Sequence, residues 1–471
     1  MTKNDPGQRG LSKETEIFER YPVPKAVMAL AIPTVITQII TIIYNFADTW
    51  YVGRTNNAAA VAALSVCMPV YIIMAALANL FGVGGASVIA RSLGARQPER
   101  ARKAFAFSLW GGAVISLAYG LVIALCRPWL IPLIGGDAAS YGYIYDYMFW
   151  TMIVGSLPTV MNALFGHLVR SVGAARQASV GMSLGAVLNI ILDPLFMFVI
   201  LPPGHEVTGA AIATLISNIA AAVYFLVFLS RHKENPVFAL SPREISLKGR
   251  LPGQILVIGF PAALSTTLAM VSNIFANALV VEYGSAAVAG MGVAKKINTL
   301  AFNIVMGLTQ GVLPLVGYNF GARNDKRMKN TIWVTGACAL TFSLGCLVFF
   351  RGFSSQLVAF FIKDAPTIAF GKSFLDIIAL GVPLCAFSYS INTVFQATGK
   401  KIRSFILSIL RKGLLDIPAM FALKSIYGAM GVVWATPLAE SVSAIIAIGL
   451  FASFMVKLNS SALPEAGERQ I

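Results

Sequence analysis

Long apolar runs alternate with short polar connectors along almost the whole chain, a pattern that predicts membrane-crossing helices. A run of roughly 20 residues crosses a hydrocarbon core about 30 Å thick at 1.5 Å per residue. Such runs fall at about 28–52, 60–84, 104–126, 144–168, 178–201 and 207–230, then 254–281, 287–317, 331–351, 372–397, 402–425 and 428–455. The expectation is an all-α integral membrane protein with about twelve transmembrane helices.

Charge collects in the connectors, and unequally. Arg91, Arg96, Arg100, Arg102 and Lys103 follow the second run, Arg170 and Arg176 the fourth, and Arg231, Lys233, Arg243, Lys248 and Arg250 the sixth. Arg323, Lys326, Arg327 and Lys329 follow the eighth, and Lys400, Lys401 and Arg403 the tenth. The alternate connectors, such as 201–207 and 282–285, have almost no basic residues. Cytoplasmic loops retain Lys and Arg, so these five loops and both termini are expected in the cytoplasm.

Composition narrows the class further, since 57% of the residues are hydrophobic and only 12% charged, with mean hydropathy +0.75. Soluble domains do not have that balance. The net charge of +16 reads as cytoplasmic anchoring, not as a nucleic-acid surface. Cys67, Cys126, Cys338, Cys346 and Cys385 lack CxxC spacing and lie in or beside apolar segments, so no disulfide framework or zinc site is expected. The first 22 residues are polar with no cleavable signal, and the first span is expected to direct insertion.

The two halves repeat. Ile32-Pro33 returns as Phe260-Pro261 and Asn45 as Asn273, 228 positions on; Ala60-Val61-Ala62 returns as Ala287-Val288-Ala289 and Gly94-Ala95-Arg96 as Gly321-Ala322-Arg323, 227 on. Six spans per half is an even number, so both copies enter and leave on the same side. That is a parallel internal repeat about an axis along the membrane normal. The expected organisation is an amino-terminal six-helix lobe over 1–232, a cytoplasmic linker over 233–252 and a carboxy-terminal six-helix lobe over 253–471. Alternating access to a cavity between the lobes is the expected mechanism.

The glycine-rich run from Asn79 to Gly85, Gly94-Ala95-Arg96, its counterpart from Gly311 to Arg323, Leu188 to Pro194 and Gly209 to Thr214 occur in this order. On these motifs the chain, from about Pro22 to Met455, resembles the multidrug and toxic compound extrusion family, in its bacterial MepA-like group. The resemblance implies a secondary antiporter of the bacterial cytoplasmic (inner) membrane, exporting amphipathic, often cationic compounds in exchange for H+ or Na+. The glycines themselves read as close helix packing and a tight turn at a cytoplasmic helix end.

Ionisable residues inside spans are costly, and so are candidates for function. Asp48 lies in the first span and Asp193 in the fifth, one turn after Asn189, so Asn189 and Asp193 share a helix face. Pro194 removes a backbone donor there. The resemblance implies a cation-coupling site at Asp48, Asn189, Asp193 and Thr214, able to take a proton or Na+, and Asn162 on the fourth span is a candidate further ligand. Tyr44, Phe46, Tyr51, Met161, Phe165 and Met270 are candidates for the substrate cavity. In the second half the position matching Asp48 is Ala276, Asp416 lies beside Arg411 and Lys412 as an ordinary ion pair, and Lys295 and Lys296 are expected to reach the extracellular interface.

No cofactor beyond the coupling ion, no nucleic acid and a monomer in the lipid bilayer are expected. Two other readings are weighed. A lipid-linked precursor flippase would have several basic cavity residues, where this chain offers little beyond Lys295 and Lys296. An intramembrane enzyme lacks support: there is no HExxH or GxSxG, and His167, His205 and His232 are unpaired in sequence. No GxxxxGK[ST] loop suggests ATP-driven transport.

Overall fold

The computed structural model describes residues 16–55, 57–247 and 249–462; Lys248 and both chain termini lie outside them. Among the described residues twelve main helical segments follow one another, with a short helix over Glu16–Glu19 before the first and another over Ser354–Phe361 between the ninth and tenth. Those of the first half are α1 (Val23–Gly53), α2 (Ala58–Gly94), α3 (Pro98–Leu133), α4 (Tyr141–Val154 with Ser156–Ser171), α5 (Ala175–Ile200) and α6 (Glu206–Arg231). The second half comprises α7 (Leu251–Tyr283), α8 (Ser285–Gly321), α9 (Asp325–Gly352), α10 (Ala365–Ala397), α11 (Lys401–Ile409, Leu410–Leu415 and Asp416–Tyr427) and α12 (Ala429–Ala462). Among the described residues there is no strand.

Ten of these helices are long and apolar enough to cross a membrane, and α4 makes eleven when its two pieces count as one span. Two expected spans are not simple helices. α4 bends by 51° at Gly155, after a π-helical stretch over Phe149–Val154. α11 is interrupted by a π-turn over Leu410–Leu415 that carries Arg411 and Lys412, next to Asp416, so charge and broken hydrogen bonding fall together in its middle.

The molecule's outer surface is what a bilayer requires. Leu121, Leu125, Trp129 and Leu133 on α3 are 61–83% exposed, as are Val199 on α5 and Val348 on α9 at 73%. Water would not tolerate such a continuous apolar belt, and this is a multi-pass membrane protein.

Packing repeats between the halves. α1 lies on α5 as α7 lies on α11, α2 on α4 as α8 on α10, and α5 on α6 as α11 on α12. Across the halves α2 packs on α7 and α8 on α1, while α2 and α8 pack on each other. A reciprocal contact marks the axis: a Cβ at Gly94 would stand 1.9 Å from Tyr318 O, and one at Gly321 would stand 2.1 Å from Arg91 O. Each member of one contact lies 227 positions from its counterpart in the other.

The turn after each of these helices departs from the expectation that glycine makes it. Arg96 (φ 58°) and Arg323 (φ 55°) hold the left-handed position, closed by Gln97 N to Ser92 O at 2.8 Å and Asn324 N to Asn319 O at 2.9 Å. Gly94 and Gly321 are small for another reason: only a missing side chain lets α2 and α8 touch backbone to backbone.

The lobes share a core at one end, while at the other Phe46 of the first half stacks on Phe361 of the second. A single core joins Phe18, Leu30, Ile89 and Leu168 of the first half to Ile255, Leu315, Tyr318 and Phe395 of the second. The other two large clusters stay within one half each, around Met74, Ile144 and Met152 and around Met291, Phe374 and Val433. The joined end is the one with the basic loops, where Ser87 Oγ donates to Gln396 O at 2.5 Å, Arg100 donates to Gln254 at 2.7 Å and Lys400 stands over Phe320. The segment between α6 and α7 lies along α3 there, with Trp110 Nε1 donating to Leu240 O and Arg102 paired with Glu244.

Candidate functional site

The buried face of α5 runs through Ala178, Gly181, Gly185, Asn189 and Asp193. Small residues occupy its first turns, so neighbouring helices approach closely. A Cβ on Gly185 would meet Ala221, Asn162 and Ser217 O at 3.2–3.3 Å. Polar atoms further along the same face are thereby sealed from lipid: Asn189 is 3% exposed, Asp193 0% and Thr214 7%.

Three helices contribute to one hydrogen-bonded chain. Asn162 Nδ2 of α4 donates to Asn218 Oδ1 of α6 at 3.0 Å, Asn218 Nδ2 donates to Thr214 O at 3.0 Å, and Asn189 Nδ2 of α5 donates to Thr214 Oγ1 at 3.2 Å. The chain uses one hydrogen of each amide and leaves acceptors over. Asn162 Oδ1, Asn189 Oδ1 and both carboxylate oxygens of Asp193 are buried without a hydrogen-bond partner. Such orphaned acceptors are rare inside proteins; a hydrogen-bond donor or a cation would satisfy them.

Asp48 of α1 is half-buried and close enough to Asp193 for the two carboxylates to interact electrostatically. Tyr44, Tyr71 and Tyr147 share that environment. The structure thus brings Asp48, Asn189, Asp193, Thr214 and Asn162 into one region, and adds Asn218, Tyr71 and Tyr147. Asn218 was legible one turn after Thr214; the two tyrosines have no sequence signal that separates them from packing residues. Among the described residues no three His, Cys, Asp or Glu side chains cluster as a metal site.

The substrate-cavity candidates scatter. Phe165 is 1% exposed and stacks on Phe225, and Met161 is 8% exposed; both belong to the shared core. The reason is that α4 turns that face toward α6, which a one-dimensional pattern does not show. Tyr51 packs with Val52, Met197 and Ala210. Phe46 stacks on Phe361 at 5.9 Å, under Lys296 at 5.7 Å. Met270 of α7 is half-buried, and Tyr44 alone joins the Asp48–Asp193 group.

The carboxy-terminal lobe has its own cavity of about 170 Å³, lined by residues of α7, α8, α10, α11 and α12, none of them among those six. Its wall carries a buried charge network that sequence reading missed in part. Lys412 Nζ donates to Asp416 Oδ2 at 3.1 Å, and Ser272 and Thr436 donate to the same carboxylate at 2.6 and 3.1 Å. Arg411 and Lys412 lie 3.8 and 3.9 Å from Glu440 Oε1. Glu440 is the one ionisable residue between Ala429 and Met455, a signal that was visible. Lys295 lines this cavity and donates to Asn277 Oδ1 at 3.1 Å, where an extracellular reach was expected.

Comparison with known proteins places this architecture. The MatE family profile matches residues 33–195 and again 261–422, following the internal repeat. The chain is 28% identical over 434 residues to the multidrug export protein MepA of Staphylococcus saprophyticus, covering 92% of this chain and 94% of that one. The Staphylococcus aureus protein of the same name is likewise 28% identical, over 433 residues, with the same coverage. A solved outward-facing structure of a multidrug resistance MATE family transporter superposes with TM-score 0.89 at 24% identity, over 96% of this chain and all of the other. With two matched units on a twofold helical fold, the chain belongs to the MatE family of multidrug efflux transporters.

Proposed function

We propose that the protein is a secondary antiporter that exports amphipathic, often cationic compounds, driven by H+ or Na+ entering at Asp48, Asn189, Asp193 and Thr214. The observation that carries the reading is the set of buried acceptors without donors on Asp193, Asn189 and Asn162. A carboxylate sealed from water neutralises by taking a proton or by gathering further oxygens around a cation. Either event changes the charge of the amino-terminal lobe. Coupling follows if ion and drug favour different arrangements of the two lobes, because a ligand shifts an equilibrium only by its differential affinity.

The test is efflux of a fluorescent organic cation from proteoliposomes, with a proton or a sodium gradient imposed separately. Asp193→Asn keeps the shape and removes the charge, and is expected to abolish gradient-driven export while drug binding to the purified protein survives. Full transport by both Asp193→Asn and Asp48→Asn would overturn the site. Wild-type export that responds to neither gradient would overturn the antiport.

A further inference from the structure

The polar groups buried in the two lobes differ in sign. Asp48 and Asp193 make the amino-terminal region acidic, whereas the carboxy-terminal cavity gathers Lys295, Arg411 and Lys412 against Glu440 and Asp416. Three cations face two carboxylates, an excess of one positive charge. Arg411 and Lys412 have carboxylate partners. Lys295 lacks one: its nitrogen donates to a neutral amide oxygen, Asn277 Oδ1. A half-buried cation that lines a cavity without a carboxylate partner is placed to pair with an anion entering it.

Two further features of the wall describe what would supply it. Asn298 Oδ1 and Glu440 Oε2 are buried and have no hydrogen-bond partner, and Glu440 is 2% exposed. They call for a donor. Between the polar groups stand Phe302, Met291, Met420 and Val305, a surface for a ring. The space of about 170 Å³ matches in size an aromatic ring with small substituents, since an apolar cavity near 150 Å³ takes benzene.

We propose that this cavity binds a compact hydroxylated aromatic carboxylate. Its carboxylate pairs with Lys295, its ring packs against Phe302, and its hydroxyl donates to Asn298 or Glu440. The proposal concerns equilibrium binding in the carboxy-terminal lobe and is independent of the coupling ion assigned to the other lobe.

Isothermal titration of the purified full-length protein with 4-hydroxybenzoate, in detergent and without any gradient, tests it. Saturable binding at one site is expected, weaker for benzoate and absent for 4-hydroxybenzylamine. Lys295→Met should weaken binding roughly 10-fold or more, the scale of losing a charge-assisted hydrogen bond. Lys295→Arg should recover most of it, and Lys372→Met, at an exposed lysine of α10, should match wild type. An unchanged melting curve for Lys295→Met separates lost recognition from lost folding. No binding by wild type, equal binding by Lys295→Met, tighter binding of the amine, or sodium chloride reproducing the whole effect would each overturn the proposal.

Discussion

Arg96 and Arg323 each occupy a backbone region that costs an ordinary L residue about 1–2 kcal/mol. Glycine enters it freely, so Arg323→Gly is expected to raise stability by up to about 1 kcal/mol, read as a higher melting temperature in detergent. Gly94 behaves oppositely. A side chain there would overlap Tyr318 O, so Gly94→Val should insert normally yet prevent the lobes from closing at that end, and transport should be lost. At the cation site, Thr214→Val preserves shape but deprives Asn189 Nδ2 of its acceptor. A buried donor left unsatisfied costs about 1–3 kcal/mol, and the variant should melt earlier and respond more weakly to the driving ion.

Among the helices, α11 shows how an element can be held by charge where its backbone is interrupted. Its π-turn presents Arg411 and Lys412 to Glu440 on α12 and to Asp416 one turn on. Removing one partner leaves uncompensated charge in the interior, which costs about 3–5 kcal/mol. Glu440→Gln should therefore lower the melting temperature markedly. The Glu282–Lys424 pair, though closer at 2.7 Å, has a carboxylate side chain 65% exposed, and a pair of that kind contributes about 0–1 kcal/mol. Glu282→Gln should melt almost as wild type. Equal shifts for the two variants would show that burial does not set the strength of these pairs.

For the molecule as a whole, the joined end is tied by the short helix before α1 as well as by α2 and α8. Phe18 is fully buried and its ring lies 5.0 Å from that of Tyr318. Glu19 pairs with Arg96 at 2.7 Å and accepts from the Tyr318 hydroxyl, and Arg327 donates to the carbonyls of Ile17, Phe18 and Tyr21. This segment of the first half thus clamps elements of both halves. Phe18→Ala combined with Glu19→Gln should shift the equilibrium toward separation at this end, seen as longer distances between spin labels placed on α3 and α9. The Lys and Arg of the loops predict that the same end faces the cytoplasm, and on that expectation Lys233→Cys should be protected from a membrane-impermeant thiol reagent in intact cells. Labelling from outside would reverse the orientation.

The sequence by itself determined the class, the parallel repeat and all but one or two of the twelve expected spans. Those depend on properties that are local or periodic: apolar length against bilayer thickness, the side on which Lys and Arg accumulate, and a constant offset between Gly94-Ala95-Arg96 and Gly321-Ala322-Arg323. Asp193 and Asn189 were legible too, because an ionisable residue inside an apolar run is conspicuous and a four-residue spacing places both on one helix face. Only the tertiary structure decided which polar atoms go unpaired, since that depends on whether Asn218 and Thr214 of another helix take up the amide donors. It also set Phe165 and Met161 into the shared core, because which face of α4 meets α6 is a matter of packing and not of pattern. The charge network of Arg411, Lys412, Asp416 and Glu440 joins residues up to 29 positions apart across a broken helix. Lys295 enters the same cavity from α8, more than 100 positions away. Interactions that span such separations are set by how helices pack, and no window along the chain contains them.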